Sequence, residues 1–259
     1  GFSNTAVLPI FREKAPYAAY DMALEYWLKG NPDLRASHIN NYDMRWEWFP
    51  GAGELLAVGA FYKEIQDLIV KGYSEIENSE ITFRNIDEPA TIAGLEFEVR
   101  KRLGFLAPWL KGLAAGGNLV LLHSRWHVDE QKEEQLKALA SDPRLYRPLP
   151  GASPYVVNAL LKYDNRDRGF SAGAYFNVFG KRLDFMTADH TPDVYEYPRP
   201  WLTVTMARKF GKGLKVKVKG KNLFDSVHMT GHEFLGEDYV RDRHATGRSF
   251  SVSCAYSFQ

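Results

Sequence analysis

Gly247-Arg248-Ser249-Phe250-Ser251-Val252-Ser253-Cys254-Ala255-Tyr256-Ser257-Phe258 decides how the rest of the chain reads. Phe250, Val252, Cys254, Tyr256 and Phe258 fall on one parity, and Ser249, Ser251, Ser253, Ala255 and Ser257 on the other. Side chains alternate faces along a strand, so the segment has one greasy face and one small polar face. A strand of this kind suits a barrel wall with lipid outside and water inside.

The pattern recurs upstream. Period-2 alternation predicts ten strands, over residues 2–9, 38–50, 54–69, 86–102, 117–127, 154–164, 169–181, 195–209, 213–224 and 247–258. Tyr42, Met44, Trp46 and Trp48 alternate with Asp43, Arg45 and Glu47. Leu95, Phe97 and Val99 alternate with Glu96, Glu98 and Arg100, and Leu214, Val216 and Val218 with Lys215, Lys217, Lys219 and Lys221. The predicted fold is all-β, an antiparallel up-and-down transmembrane barrel wall over residues 1–259. Its lipid-facing side chains are Tyr42, Met44, Trp46, Trp48, Phe250, Val252, Tyr256 and Phe258. Its lumen-facing charges are Asp43, Arg45, Glu47, Glu96, Glu98 and Arg100.

The connectors give a second signal. Short ones, at Pro50–Gly53, Gly104–Gly116, Asp164–Arg168 and Phe210–Lys212, alternate with long ones at 10–37, 70–85, 128–153, 182–194 and 225–246. Outer-membrane barrels sort their connectors this way, with tight periplasmic turns and long extracellular loops. A soluble sandwich has no reason to do so. Within the long loops, Asp21–Leu28 and Asp129–Ala140 read as short helices.

Composition agrees. Net charge is +1, which gives no basic field for nucleic acid. Mean hydropathy is −0.36 and no apolar run approaches 18 residues, so a transmembrane helix is excluded while alternating strands are not. The 14 Tyr and 6 Trp suit surfaces that are wet at one end and apolar at the other. A lone Cys254 builds no intrachain disulfide. Gly1-Phe2-Ser3 opens mid-pattern with no signal peptide, which reads as a processed chain or the tail of a longer one.

His228 and His232 stand at i, i+4, but Thr230, Gly231 and Gly236 argue against the helix that would aim both at one metal. His123 and His127 have the same spacing on a strand, about 13 Å apart, and cannot share an ion. Tyr17, Tyr20, Trp27 and Trp126, with His228 and His232, are candidates for an extracellular ligand surface; a girdle role suits the aromatics equally. The lumen charges either pair across strands or hold a domain within the barrel. Pro198 and Pro200 predict an exposed or frayed strand end. There is no Gly-x-Ser-x-Gly, phosphate loop or dinucleotide fingerprint, so no enzyme, cofactor or metal is expected.

Several segments in order resemble the C-terminal half of TonB-dependent outer-membrane receptors. They are Phe11-Arg12-Glu13-Lys14-Ala15-Pro16-Tyr17 with Gly30-Asn31-Pro32-Asp33-Leu34, Asn41–Glu47, Phe61–Ile65, Asn85 with Gly94–Glu98, and Ser153–Asn158. Tyr175–Arg182, Tyr195–Pro200, Asn222–Asp225 and Gly247–Phe250 complete the series. The resemblance implies a 22-stranded barrel with an N-terminal plug, of which this chain would supply the last ten strands. It lacks the plug, the TonB-binding segment and the first barrel half, and Gln259 follows the terminal aromatic. The resemblance further implies an integral outer-membrane, ligand-gated importer of a siderophore–iron complex, haem, cobalamin or a glycan. Its implied partners are the bilayer, that small molecule and the TonB complex, the last through the N-terminal region. Alternatives are a passive porin-type channel, an outer-membrane barrel enzyme and a soluble β-sheet binding protein.

Overall fold

The computed structural model describes all residues except 23–25, 74–79, 129–132, 134–144, 187–191, 212, 235–236 and 258–259. In chain order its elements are β1 (Phe2–Val7), a helical turn α1 (Phe11–Lys14), β2 (Ala18–Asp21), β3 (Tyr26–Lys29), β4 (Ser37–Trp48) and β5 (Leu55–Gln66). Then come β6 (Leu68–Tyr73), β7 (Glu80–Ile86), β8 (Ala90–Arg102), β9 (Leu113–His127), β10 (Tyr146–Arg147), β11 (Tyr155–Asn165) and β12 (Phe170–Phe179). The chain ends with β13 (Arg182–Phe185), β14 (Val194–Glu196), β15 (Trp201–Phe210), β16 (Leu214–Lys221), β17 (His228–Phe234), β18 (Glu237–His244) and β19 (Ser249–Tyr256).

Ten of these strands make one meander, in the order β1-β4-β5-β8-β9-β11-β12-β15-β16-β19, and each corresponds to a predicted strand. Every neighbouring pair in it is antiparallel. Successive connectors therefore emerge at opposite rims, and the short ones all share one rim. The sheet is open: among the described residues, β1 and β19 each have one ladder partner.

Cross-strand partners share a face, so the register assigns every wall side chain to a side. Glu47 is followed across the sheet by Ala57, Glu98, Asn118, Asn158, Asn177 and Trp201. On this face Leu55 and Ala57 are buried, while their neighbours Leu56 and Val58 on the other face are 38% exposed. That asymmetry is what curvature does, crowding the concave side. On the convex side Tyr42, Met44, Trp46, Trp48, Phe250, Val252 and Tyr256 are exposed, and no second layer of the described chain covers them. Phe258 lies outside the described residues.

The long loops fold on themselves. β2-β3-β7-β6 and β13-β14-β17-β18 form two four-stranded sheets at one rim. Ile65, Val70, Ile86, Ala90, Trp126, Leu149, Leu183 and Met186 form one core beneath them, and Leu28, Leu34, Ile81, Phe83, Phe185 and Val194 another. Each core draws on several loops, so no loop could bury its apolar residues alone. The helix expected at Asp21–Leu28 is instead the β2–β3 hairpin. Tyr20 and Trp27 pair across it with ring centroids 5.3 Å apart, and β3 also gains a parallel partner in β7. Tertiary pairing here overrides a local helical pattern. The other expected helix, Asp129–Ala140, lies outside the described residues apart from Glu133. Predicted strand 195–209 is divided: β14 belongs to the loop sheet and β15 to the wall, with Pro198 and Pro200 between them.

Candidate functional site

Two regions carry polar chemistry: the concave wall and the folded loops above it. On the wall, Arg45 is the centre of a network. Its guanidinium lies 2.6 Å from Glu47, 2.9 Å from Glu98 and 3.9 Å from Glu96, and Arg100 reaches Glu98 at 2.6 Å. Five of the six predicted lumen charges are thus brought together. Asp43 shares their face but joins no ion pair among the described residues. Their proximity follows from register, because Arg45 is opposite Gly59 and Gly59 is opposite Glu96, which leaves the guanidinium free to cross the intervening strand.

Next to the network runs an amide ladder that sequence reasoning missed. Asn158 Nδ2 donates to Asn118 Oδ1, and Asn177 Nδ2 to Asn158 Oδ1, each at 2.7 Å. Three isolated asparagines carry no periodic signal; pairing register alone aligns them. Beyond the ladder, β15 presents Trp201, Thr203 and Thr205, β16 presents Lys215, Lys217, Lys219 and Lys221, and β19 presents Ser249, Ser251 and Ser253.

In the loops, Tyr17, Tyr20 and Trp27 are exposed. Trp126 is not. It is 1% exposed, packs in the larger loop core and donates from Nε1 to Pro148 O at 3.3 Å, so its ring is a structural anchor closed to a ligand in this conformation. His228 and His232 both lie on β17 but make separate contacts. His228 Nδ1 is 3.2 Å from Glu196, and its ring stacks on His244. His232 Nδ1 donates to Pro192 O at 2.6 Å. Glu196, which comes from another loop, also binds Arg182. Among the described residues, no group of three His, Cys, Asp or Glu is placed to hold a metal.

Lys181 clamps the β17–β18 hairpin, reaching Glu233 at 2.8 Å and Asp238 at 2.7 Å while its ammonium lies over Tyr195 and Tyr197. Burial opposes its charge, but the hydrogen bonds to Asp238 and Glu233 outweigh it and raise its pKa. The same bond holds Asp238 below the usual carboxylate range. Burial pushes Asp184 up, and pushes Tyr197 up to about 12. Among the described residues Tyr197 Oη has no hydrogen-bond partner of ordinary geometry, although Asp238 is near enough to add to its shift.

Motif residues quoted from the sequence act as staples between loops. Asn85 accepts from Arg35 N at 2.8 Å and donates to Asp67 O at 2.7 Å. Asn31 Nδ2 donates to Phe83 O, and Gly30 lies so close to Ala15 that a Cβ there would come 2.1 Å from its carbonyl oxygen. Asn222, 1% exposed, donates to Ser226 O and Gly247 O.

A family model described as "TonB dependent receptor-like, beta-barrel" matches residues 10–223. No curated protein matches the sequence. A variant of the ferric enterobactin receptor PfeA of Pseudomonas aeruginosa is similar at 18% identity and a TM-score of 0.60, over 99% of this chain and 37% of that one. The siderophore receptor PirA of Pseudomonas aeruginosa is similar at 19% identity and 0.56, over 100% and 36%. The copper transporter OprC is similar at 15% and 0.62, over 99% and 36%. At such identity the likeness is one of fold, and the chain spans little more than a third of these proteins' length.

Proposed function

Because the chain belongs to the TonB-dependent receptor-like β-barrel family, we propose that it forms part of the wall and outer loops of an outer-membrane receptor importing a large, scarce solute. Energy would reach that receptor through TonB. One observation carries the reading. A single meander of ten strands divides into a convex apolar face and a concave charged face, with a folded cap at one rim. In lipid every backbone group must be paired, so strands from elsewhere in a longer polypeptide close this sheet against β1 and β19. On this reading residues 1–259 are one portion of such a barrel, and Tyr42, Met44, Trp46, Trp48, Phe250, Val252 and Tyr256 meet hydrocarbon.

The concave charges have two roles. Mutual pairing of Arg45, Glu47, Glu96, Glu98 and Arg100 supports bracing of the wall. Asp43 remains for a domain held within the barrel. Tyr17, Tyr20 and Trp27 in the cap supply an exposed aromatic surface for the solute. A ferric siderophore is the first solute to test, since that class recurs in the names of the enterobactin and PirA receptors.

The test uses the full-length protein in a strain stripped of its own siderophore receptors. Labelled ferric siderophore should accumulate, and deletion of TonB should abolish accumulation. Uptake that persists without TonB would make the protein a passive channel.

A further inference from the structure

We infer that the imported solute is anionic, and that Lys209, Lys215, Lys217, Lys219 and Lys221 form its path along the lumen face of the final strands. This inference rests on the import reading above.

Register places these lysines in one column. Lys209 is opposite Lys215 on the adjoining strand, and Lys215, Lys217, Lys219 and Lys221 follow at every second residue of β16. The Cα atoms of the four on β16 are spaced by about 6.6 Å. The column runs the length of β16, from Lys221 at the end that leads to the long loop to Lys215 at the end beside β15's Lys209.

What faces the column is equally telling. On the same side, β15 presents Thr203, Thr205 and Ala207, and β19 presents Ser249, Ser251, Ser253 and Ala255. Neither flanking strand puts an acid there. None of the five lysines has an ion-pair partner among the described residues, and four of the five are exposed, Lys219 being half-buried. On β4 and β8 the wall does the opposite, setting Glu47, Glu96 and Glu98 around Arg45 and Arg100. A row of like charges at this spacing repels itself and invites an anion.

Two features favour a mobile solute over a docked protein surface. Lysine is a compact point charge on a flexible stem, unlike the fixed fork of arginine, so it can hand an anion along and release it. Several equivalent weak sites in series meet the requirement for passage, which is binding strong enough to admit and weak enough to let go. The neighbouring hydroxyls add neutral hydrogen-bond donors and little bulk.

The experiment uses the full-length protein in its outer membrane, as wild type, Lys217→Gln/Lys219→Gln and Lys217→Arg/Lys219→Arg. The probes are labelled iron as an anionic ferric tricatecholate and as an uncharged ferric trihydroxamate. Wild type should import the anionic probe, the Gln pair should lower its initial rate about tenfold with surface binding unchanged, and the Arg pair should retain most of the rate. A Gln pair that imports the anionic probe at the wild-type rate overturns the inference while leaving import intact. Preference of the wild type for the uncharged probe overturns it too. So does equal loss of both probes in the Gln and Arg pairs with increased protease sensitivity, which would make the column a docking surface for a domain. If wild type imports neither ferric chelate, the ferric-siderophore reading falls and takes this inference with it.

Discussion

The Phe61 ring lies across Gly94 on the adjoining strand, so close that a methyl built on Gly94 would sit 2.3 Å from Cζ of the ring. The two residues are opposite each other in the β5–β8 ladder, and the same methyl would come 2.8 Å from Leu121 O. Gly94→Ala should therefore destabilise the full-length protein by about 1–3 kcal/mol, the usual range for overpacking. Denaturant unfolding measures it. Phe61→Leu in the same chain should recover part of the loss but not all, since the carbonyl contact remains.

Arg45 holds three carboxylates together, so Arg45→Gln leaves Glu47, Glu96 and Glu98 repelling one another. The side chains are partly exposed to a wet lumen, so the expected cost is small and shrinks further as salt is raised. A stability difference between wild type and variant that does not change with ionic strength would remove the electrostatic explanation.

Trp126 and Trp27 should separate cleanly. Trp126→Ala opens a cavity in the core that joins β5, β6, β7, β8, β9 and β13, with an expected loss of about 3–5 kcal/mol. Trp27 is 45% exposed, and Trp27→Ala should change stability by less than about 1 kcal/mol. Any loss of solute binding in Trp27→Ala is then a contact effect, readable by equilibrium binding on cells.

These tryptophans mark how far the sequence could be read. The wall was legible because alternation at Tyr42–Trp48 or Phe250–Tyr256 is a local property of each strand. What surrounds Trp126 was not. Its burial depends on Leu149, Leu183 and Met186, which arrive from loops far along the chain. The β2–β3 hairpin was hidden for the same reason, since β7 supplies its partner across dozens of residues. On the site, pairing of Arg45 with Glu98 needed a register that no single strand specifies, and so did the Asn118–Asn158–Asn177 ladder.

The Lys181 clamp gives the cap a predictable pH response. Asp238 has a depressed pKa in the folded state, so its contribution is complete above its ordinary carboxylate range and is lost as pH falls through the folded value. Lys181 has a raised pKa, and its contribution is complete below the ordinary lysine range and lost as pH rises through the folded value. Across neutral pH the clamp stays shut. Limited proteolysis within residues 228–244 should be slow there and accelerate in strong acid or strong alkali. Lys181→Met should cleave quickly at all pH values; unchanged protection would mean that the strand ladders alone hold the hairpin.

Met44, 75% exposed on the convex face, and Asp43, its neighbour on the concave one, together test what lies on each side of the wall. A lysine on the lipid face of a barrel near mid-height costs about 2–4 kcal/mol, whereas one in a wet lumen costs little. Met44→Lys should therefore destabilise the full-length protein in lipid vesicles by that amount, and Asp43→Lys by less than about 1 kcal/mol. Reversible urea unfolding in the bilayer reads both. If Met44→Lys were as mild as Asp43→Lys, water would have to bathe the convex face. Its rows of Tyr, Met and Trp would then be an exposed apolar surface with no solvent to suit them, and some other layer of protein would have to cover it.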